Sequence, residues 1–340
     1  MKKIANRLVQ CILTLFIVSV LCFALTKAAP GDPVLTYVEP NMSEEYIQNL
    51  RESLGLTKPV YELSNIVSAA VIQDNSWDVS FCRCSEQYFL WLGRIFHGNF
   101  GNSLMNNRPV LTQMLERLPA TVILMGTSML LGFLIAIVLG LYSGKNKNGI
   151  LDKITSLFCY VGISIPTFWF GIMLIYLFSV HLHILPSIGM HSDGDRSFGD
   201  LVLHMVMPCA VLTFANASQY IRYLRSSTIT EMSSDYVMVQ KAYGMKESGI
   251  LFRHVLKNAM LPMITVLGMS LQSLVSGAII TEQVFAWPGI GQLAVTAVMQ
   301  YDYPLIMGIT MFTALLVVLG NLLADVLYAV FDPRIRKAGC

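Results

Sequence analysis

The stretch TVILMGTSMLLGFLIAIVLGLY, residues Thr121–Tyr142, carries no charged side chain and is long enough to cross a lipid bilayer as a helix. Backbone polar groups cannot stay unpaired in lipid, so an apolar run of this length is expected to be helical. Five other runs share its apolar character and comparable length. They are residues 8–26, 154–180, 204–223, 260–280 and 305–330. The sequence therefore predicts an all-α integral membrane protein with six transmembrane helices.

The composition of the whole chain agrees with this class. Apolar residues make up 54% of the 340 positions and charged residues 13%, whereas soluble proteins carry roughly a quarter charged residues. An ordinary soluble domain is therefore excluded. The net charge of +2 is small and does not indicate a nucleic-acid partner. The expected surroundings of the chain are membrane lipid.

The charges between the apolar runs predict the side of the membrane on which each segment lies, because basic residues concentrate in cytoplasmic loops. With a cytoplasmic N-terminus, the cytoplasmic segments hold 15 of the 23 basic residues but only five of the 21 acidic ones. We therefore expect both termini to be cytoplasmic and the segment after the first helix to be extracytoplasmic.

This topology divides the chain into four parts. Residues 1–26 form the first transmembrane helix, and residues 27–119 form a large extracytoplasmic segment. Residues 120–330 form a five-helix transmembrane core that includes a long cytoplasmic loop, 222–262. Residues 331–340 form a cytoplasmic tail.

The cytoplasmic loop reads RYLRSSTITEMSSDYVMVQKAYGMKESGILFRHVLKNAMLP from Arg222 to Pro262. Residues 234–243 have a helical composition, Gly244 is expected to end that helix, and a second helix is expected over Glu247–Asn258. Pro262 then follows at the start of the next apolar run. We expect the two helices to form a rigid elbow on which a soluble partner docks. The alternative is an amphipathic loop that rests on anionic lipid headgroups.

The other short cytoplasmic loop superficially resembles a phosphate-binding loop at Gly144-Lys145-Asn146. That motif requires an earlier glycine where the chain has Leu139, and a Ser or Thr where it has Asn146. The chain is therefore expected to bind no nucleotide or cofactor of its own, to have no catalytic residues, and not to be an enzyme. Gly140 and Gly144, four residues apart, should instead let a neighbouring helix approach closely.

Four stretches, in matching order and topology, resemble those of the permease subunits of ABC importers, in the branch that serves peptides and nickel. The stretch in the loop contains Asp235-Tyr236, Ala242-Tyr243-Gly244, Phe252-Arg253-His254, Lys257-Asn258-Ala259 and Leu261-Pro262. The stretch after the first helix contains Pro30-Gly31-Asp32-Pro33, then Leu54-Gly55-Leu56 and Pro59. The third stretch contains Phe285-Ala286-Trp287-Pro288-Gly289-Ile290-Gly291, then Asp302-Tyr303-Pro304, and the fourth is Asp332-Pro333-Arg334-Ile335-Arg336 near the C-terminus.

The resemblance implies a permease that pairs with a second, homologous permease. It also implies two cytoplasmic ATPase subunits, which would bind ATP and magnesium, and an extracytoplasmic solute-binding protein. The expected location is the cytoplasmic membrane of a bacterium or archaeon. The residues implied in coupling to the ATPases are Ser234, Asp235, Tyr236, Ala242, Tyr243, Gly244, Arg253 and Lys257.

The chain departs from the general pattern of this family in two places. The acidic residue expected six positions before the loop glycine is replaced by Met238. Residues 63–85, which include Cys82 and Cys84, look inserted relative to typical members. These two cysteines are separated by a single residue, which disfavours an unstrained disulfide between them.

Two further sets of residues are candidates for the transport path. The resemblance favours a role for Trp287, Pro288 and Gly289 as an outer gate or as a contact with the binding protein. The alternative is that Trp287 is simply an aromatic residue at the membrane interface. Polar side chains within the runs could line the solute path or form hydrogen bonds between helices. They are Asn216, Gln219 and Gln272.

The cargo is predicted to be di- or oligopeptides, with nickel or a metal chelate as the alternative. The sequence predicts no metal site, but His181, His183 and His191 lie close together in the sequence and keep the metal alternative open. A stand-alone secondary transporter is disfavoured, because it should show an internal repeat and charges near the middle of its helices.

Overall fold

The computed structural model describes residues 2–28, 88–89, 91–270 and 278–331. Within these ranges the chain forms helices and turns, with one isolated bridge between Asn102 and Pro109 as the only β-type pairing. The all-α class is therefore confirmed. The helices are α1 (Lys2–Ala28), α2 (Val110–Lys145), α3 (Ile150–Ser164), α4 (Thr167–Leu174, continued by a π-helical segment Ile175–His181), α5 (Phe198–Met232), α6 (Asp235–Ala242), α7 (Glu247–Gly249, continued by a π-helical segment Ile250–Val255), α8 (Leu256–Ser270), α9 (Ile279–Val284), α10 (Ile290–Met299) and α11 (Tyr303–Phe331).

Four helical stretches among the described residues are long and apolar enough to cross a membrane. The bent pair α3–α4 adds a fifth if it counts as one span. The apolar part of α1, Val9–Leu25, is a shorter apolar helix and is not counted among these spans. The structure thus supports four or five spans and does not confirm six. The four are Val110–Lys145, Phe198–Met232, Glu247–Gly268 and Tyr303–Leu322.

The prediction of one continuous helix over 154–180 is wrong. The chain breaks at Ile165–Pro166, and α3 and α4 are bent by 100° relative to each other. Proline disfavours the helical conformation of the residue before it, and Ile165 indeed has an extended backbone with ψ 124°. An apolar run alone does not reveal such a bend, because the apolar character continues through both helices.

The expected boundary at Pro262 is also wrong. The chain stays helical from Glu247 to Ser270, so the second helix of the loop and the next apolar run form one continuous stretch, with Pro262 in its interior. Proline removes a single backbone donor, and neighbouring groups in membrane helices can compensate for that loss. Likewise, α5 continues to Met232 instead of ending at Tyr223.

The chain divides into two compact units, one made of residues 1–117 and 293–315 and the other of residues 118–292 and 316–340. The predicted division into four parts is not tested by this clustering and stays a prediction. In the first unit, the buried Asp302 precedes α11 and accepts hydrogen bonds from the amides of Leu104 and Leu305, at 3.2 and 3.3 Å. This carboxylate fixes the turn before α2 to the start of α11.

The core of the second unit forms around α5. Buried side chains of α2, α3, α6 and the helix that begins at Glu247 pack against Tyr220, Ile221 and Leu224. The predicted close approach at the small residues of α2 is confirmed: a methyl group added at Gly140 would lie 2.9 Å from Leu224 Cβ, and one at Gly144 would lie 2.6 Å from Thr228 Cβ.

Candidate functional site

The coupling residues of the loop lie on and around α6. Helix α6 spans Asp235–Ala242 and follows Ser234, as the sequence predicts, and Gly244 ends the turn after it with a φ of +74°. A methyl group at Gly244 would find no atom within 4 Å. Glycine is therefore required here for its left-handed backbone and not for lack of space.

One side of α6 is anchored to the rest of the unit. Val237 is buried in the same cluster as Ile250. The Tyr236 hydroxyl donates to Glu231 Oε2 at 2.7 Å, and Asn258 Nδ2 donates to the same oxygen at 3.2 Å. Partial burial and the neighbouring Glu231 carboxylate raise the pKa of Tyr236, so its hydroxyl stays a donor. These contacts join α6 to the end of α5 and the start of α8.

The opposite side of α6 exposes apolar side chains. Met238, Val239 and Tyr243 are 69%, 53% and 85% exposed, and none of them belongs to a candidate membrane span. Contiguous exposed apolar groups outside the membrane are typical of a protein interaction site. The coupling residues predicted from the sequence do not include Met238 and Val239, whose exposure only the structure shows.

Charged groups continue this surface. Glu247 lies 2.8 Å from Lys145 Nζ at the end of α2 and 3.8 Å from Lys241 Nζ on α6. Lys145, part of the fragment similar to a phosphate loop, is thus an ion-pair partner in this structure. Arg253 and Lys257 are exposed and form no ion pair with any residue of the described ranges.

The structure separates the predicted path residues. Gln219 is exposed and lines a cavity of about 590 Å³ between α3 and α5. Asn216, one turn earlier, is half-buried, and its Cβ lies 3.2 Å from the position of a methyl group added at Gly132 of α2, so it packs between helices. Gln272 lies outside the described residues, as do Cys82, Cys84 and residues 332–340.

Trp287 lies in the interior of the second unit. Its side chain is fully buried in a cluster with Leu124 and Leu212, and its indole Nε1 donates to the carbonyl of Ala120 at 2.9 Å. In this structure the indole offers no surface to a binding protein or to the membrane interface. It fixes the turn 285–291 to α2.

A buried carboxylate that sequence reasoning missed organises the same turn. Glu282 is fully buried and accepts hydrogen bonds from Thr121 Oγ1 at 2.9 Å and the amide of Gln292 at 3.0 Å. Burial raises the pKa of Glu282, and these donors oppose the shift. A methyl group at Gly289 would collide with the Glu282 carboxylate, and one at Gly291 would lie 2.8 Å from Glu282 Oε2. A single acidic residue in an apolar segment was the available signal.

The three histidines of the metal alternative do not form a site. His191 Nδ1 lies 3.1 Å from Asp200 Oδ2, and His183 Nδ1 pairs with the carbonyl of Ser179. The Asp200 carboxylate also accepts hydrogen bonds from the Ser192 amide and hydroxyl and lies 3.3 Å from His204 Nδ1. Within the ranges that the structure describes, no group of three histidine, cysteine or carboxylate side chains is arranged to hold a metal ion.

Comparison with known families identifies the chain over nearly its whole length. The family model described as "Binding-protein-dependent transport system inner membrane component" matches residues 136–337, and the model of the N-terminal part of such components matches residues 1–125. A chain in the structure titled "Inward facing conformations of the MetNI methionine ABC transporter" matches with a TM-score of 0.51 and 17% identity, over 65% of this chain and 97% of that chain. The similarity to this solved structure shows the fold alone.

Curated relatives match at higher identity. The oligopeptide transport system permease protein AppB of Bacillus subtilis is 36% identical over 335 residues, which cover 98% of both chains. The dipeptide transport system permease protein DppB of Escherichia coli K12 is 32% identical over 356 aligned positions, again 98% of both chains. The chain therefore belongs to the family of inner-membrane components of binding-protein-dependent transport systems, and it is a multi-pass membrane permease of the transport class rather than an enzyme.

Proposed function

We propose that this chain is a permease subunit of a binding-protein-dependent ABC importer and that it carries di- and oligopeptides. The full-length similarity to an oligopeptide permease and to dipeptide permeases supports the peptide cargo over nickel. The arrangement of His191, which pairs with Asp200 and not with the other two histidines, gives no support to a metal cargo.

The proposed topology has six membrane-crossing segments and cytoplasmic termini. α1 and α11 are the first and last segments, and the bent pair α3–α4 is the third. Non-helical backbone at membrane depth is tolerated where it is buried in protein or lines a water-filled cavity. The cavity next to α3 is lined by Ile163, two residues before the break at Ile165, and this proximity supports such an arrangement.

The partners in this proposal are a second permease that completes the path, two ATPase subunits that bind ATP and magnesium, and a solute-binding protein. The observation that carries the proposal is the two-sided character of α6: Val237 faces the core of the chain, and Met238, Val239 and Tyr243 face outwards. The exposed side would insert into a groove on an ATPase. Motion of the ATPase would then pass through Tyr236 and Glu231 into α5 and α8.

The turn 285–291 has a different proposed part. Because Trp287, Glu282 and Thr121 connect it to α2, a movement of α2 would carry the turn with it. Trp287-Pro288-Gly289 would therefore act as an outer gate whose position follows that of the helix, and not as a contact of the binding protein.

The test is copurification of the ATPase subunits together with ATP-driven peptide uptake into vesicles. We expect Tyr243→Glu to lose the ATPases and the uptake while the permease still inserts into the membrane, because the carboxylate would have to be desolvated at the contact. Tyr243→Phe should retain both. Tyr301→Glu, at another partly exposed tyrosine, is the matched control. Normal ATPase retention by Tyr243→Glu would contradict the docking of α6.

A further inference from the structure

The cavity between α3 and α5 is lined on one side by a polar stripe of α5. Gln219, Arg222, Tyr223 and Ser226 follow the i, i+3, i+4, i+7 pattern, so they lie on one side of that helix, and all four are exposed. A charged and amide-bearing face on a membrane helix is expected to face other protein or a water-filled space and not lipid. The cavity is therefore a candidate for the surface along which solute moves.

The two arginines at this cavity are in different electrostatic states. Arg225 makes a two-pronged ion pair with Asp152 at the start of α3, with Nη2 2.8 Å from Oδ2 and Nε in contact with Oδ1. Arg222 forms no ion pair with any residue in the part of the chain that the structure describes. One guanidinium is thus neutralised and the other is available to an anion.

The rest of the lining is neutral. α3 contributes Ser156, Cys159, Tyr160 and Ile163, and no carboxylate lines the cavity within the described residues. The volume of about 590 Å³ lies in the range of sites that hold small organic ligands. A site with one free guanidinium, several hydroxyl and amide groups and no acid favours a small solute that carries a carboxylate, because the planar fork of arginine matches a carboxylate in two hydrogen bonds.

We propose that Arg222 determines specificity within the transport path: its guanidinium binds the C-terminal carboxylate of a peptide in transit, while the neutral groups of the cavity contact the adjoining peptide backbone. This inference rests on the proposed peptide cargo. The exposure of Arg222 suits a transient site, since a path must bind its solute weakly enough to release it. A lipid phosphate could offer the same anionic oxygens, so the experiment has to separate the two sources.

The experiment uses the whole importer, reconstituted into vesicles with its ATPases and a saturating amount of binding protein. Uptake is measured for one tripeptide with a free C-terminal carboxylate and for the same tripeptide as its C-terminal amide. We expect Arg222→Gln to lower uptake of the acid about tenfold, as the loss of a charge-assisted hydrogen bond predicts, and to leave uptake of the amide near the wild-type rate. Arg222→Lys should take up the acid at a rate between those of the wild type and Arg222→Gln.

Lys153→Gln is the matched control, because it removes an exposed cation from α3 that does not line the cavity. It should change neither rate. Equal losses for the acid and the amide in Arg222→Gln, or an unchanged rate for the acid, would overturn the proposal. A loss that appears only in vesicles containing phosphatidylglycerol, with an unchanged ratio of acid to amide, would assign Arg222 to lipid phosphate and overturn it as well.

A second measurement covers the case in which the binding protein rejects the amide. Equilibrium dialysis of the labelled acid against the purified permease–ATPase complex, without binding protein, should show affinity about tenfold weaker for Arg222→Gln than for the wild type. Equal affinities would contradict the inference. If the wild-type complex transports neither form, the proposed peptide cargo itself fails, which is a distinct result.

Discussion

A glycine follows the loop helix α6 and two glycines lie in the turn 285–291, but they are needed there for different physical reasons. Gly244 after α6 has free space around it and a left-handed backbone, whereas Gly289 and Gly291 are pressed against the Glu282 carboxylate. The polar groups of the turn find their partners inside the unit, while α6 leaves apolar side chains exposed. The turn is thus complete within the chain, and α6 presents a surface that a partner can cover.

A substitution of Glu282 is the strongest test of the view that the turn is complete within the chain. Glu282→Ala should destabilise the chain by about 3 kcal/mol or more, because Thr121 Oγ1 and the Gln292 amide would lose a buried acceptor. Glu282→Gln keeps one oxygen and should cost less. Thermal unfolding followed by size-exclusion chromatography in detergent measures both. A melting temperature of Glu282→Ala equal to that of the wild type would contradict the view of the turn as an internally satisfied element.

The same carboxyl group predicts a pH dependence. Burial raises the pKa of Glu282 above its ordinary value of 4.5, so the folded chain keeps this proton to higher pH than the unfolded chain does. The stability from the protonated form is complete below about pH 4.5 and is lost as the pH rises through the raised pKa. We expect the stability of the wild type relative to Glu282→Gln to fall over that interval and then to level off.

Substitutions of Gly244 test the other element of the comparison, the loop helix α6 with its exposed surface. Gly244→Ala should cost about 1–2 kcal/mol from its left-handed backbone alone, and Gly244→Asp should abolish peptide uptake while the complex stays folded. Gly249→Ala is the matched control, since Gly249 also has no neighbour within 4 Å but has a helical backbone with a φ of −63°. ATP-driven uptake and ATPase copurification are the measurements. Normal uptake by Gly244→Asp would refute the coupling role of the loop.

Tyr236 should give a smaller effect, because it anchors α6 without being exposed at its docking face. Tyr236→Phe removes the hydrogen bond to Glu231 and should cost about 1 kcal/mol. We expect ATPase copurification to be retained and the uptake per ATP hydrolysed to fall. A double-mutant cycle with Glu231→Gln checks whether the two side chains act as a pair. Independent, additive effects on uptake would show that this hydrogen bond does not transmit motion.

The ion pairs of Glu247 should give the smallest effect. Glu247 is largely exposed and its contact with Lys241 is long, at 3.8 Å. Surface pairs of this kind are screened by salt and contribute little. Lys241→Gln should therefore leave uptake unchanged at physiological salt, and Lys145→Gln, which removes the 2.8 Å contact, should lower it slightly at low salt. A large loss in Lys241→Gln would instead indicate that this lysine contacts a partner.

Particular residues show how far sequence reasoning reaches into the fold and the site. The loop helix, its end before Gly244 and the close approach at Gly140 follow from local composition and spacing, and the structure agrees with each. The bend at Pro166 and the continuous helix through Pro262 do not follow, because the same residue type breaks one helix and is accommodated in another. The surroundings of a proline decide between these outcomes.

The sequence by itself determined the membrane class, the all-α character and the family, because these depend on the length of apolar runs and on short motifs. Only the tertiary structure showed that Trp287 is buried, that Glu282 supports the turn beside it, and that Arg225 is neutralised by Asp152 while Arg222 forms no ion pair with a described residue. These properties depend on side chains that are distant in sequence and adjacent in space. A local sequence pattern does not indicate which carboxylate forms an ion pair with a given guanidinium in the folded chain.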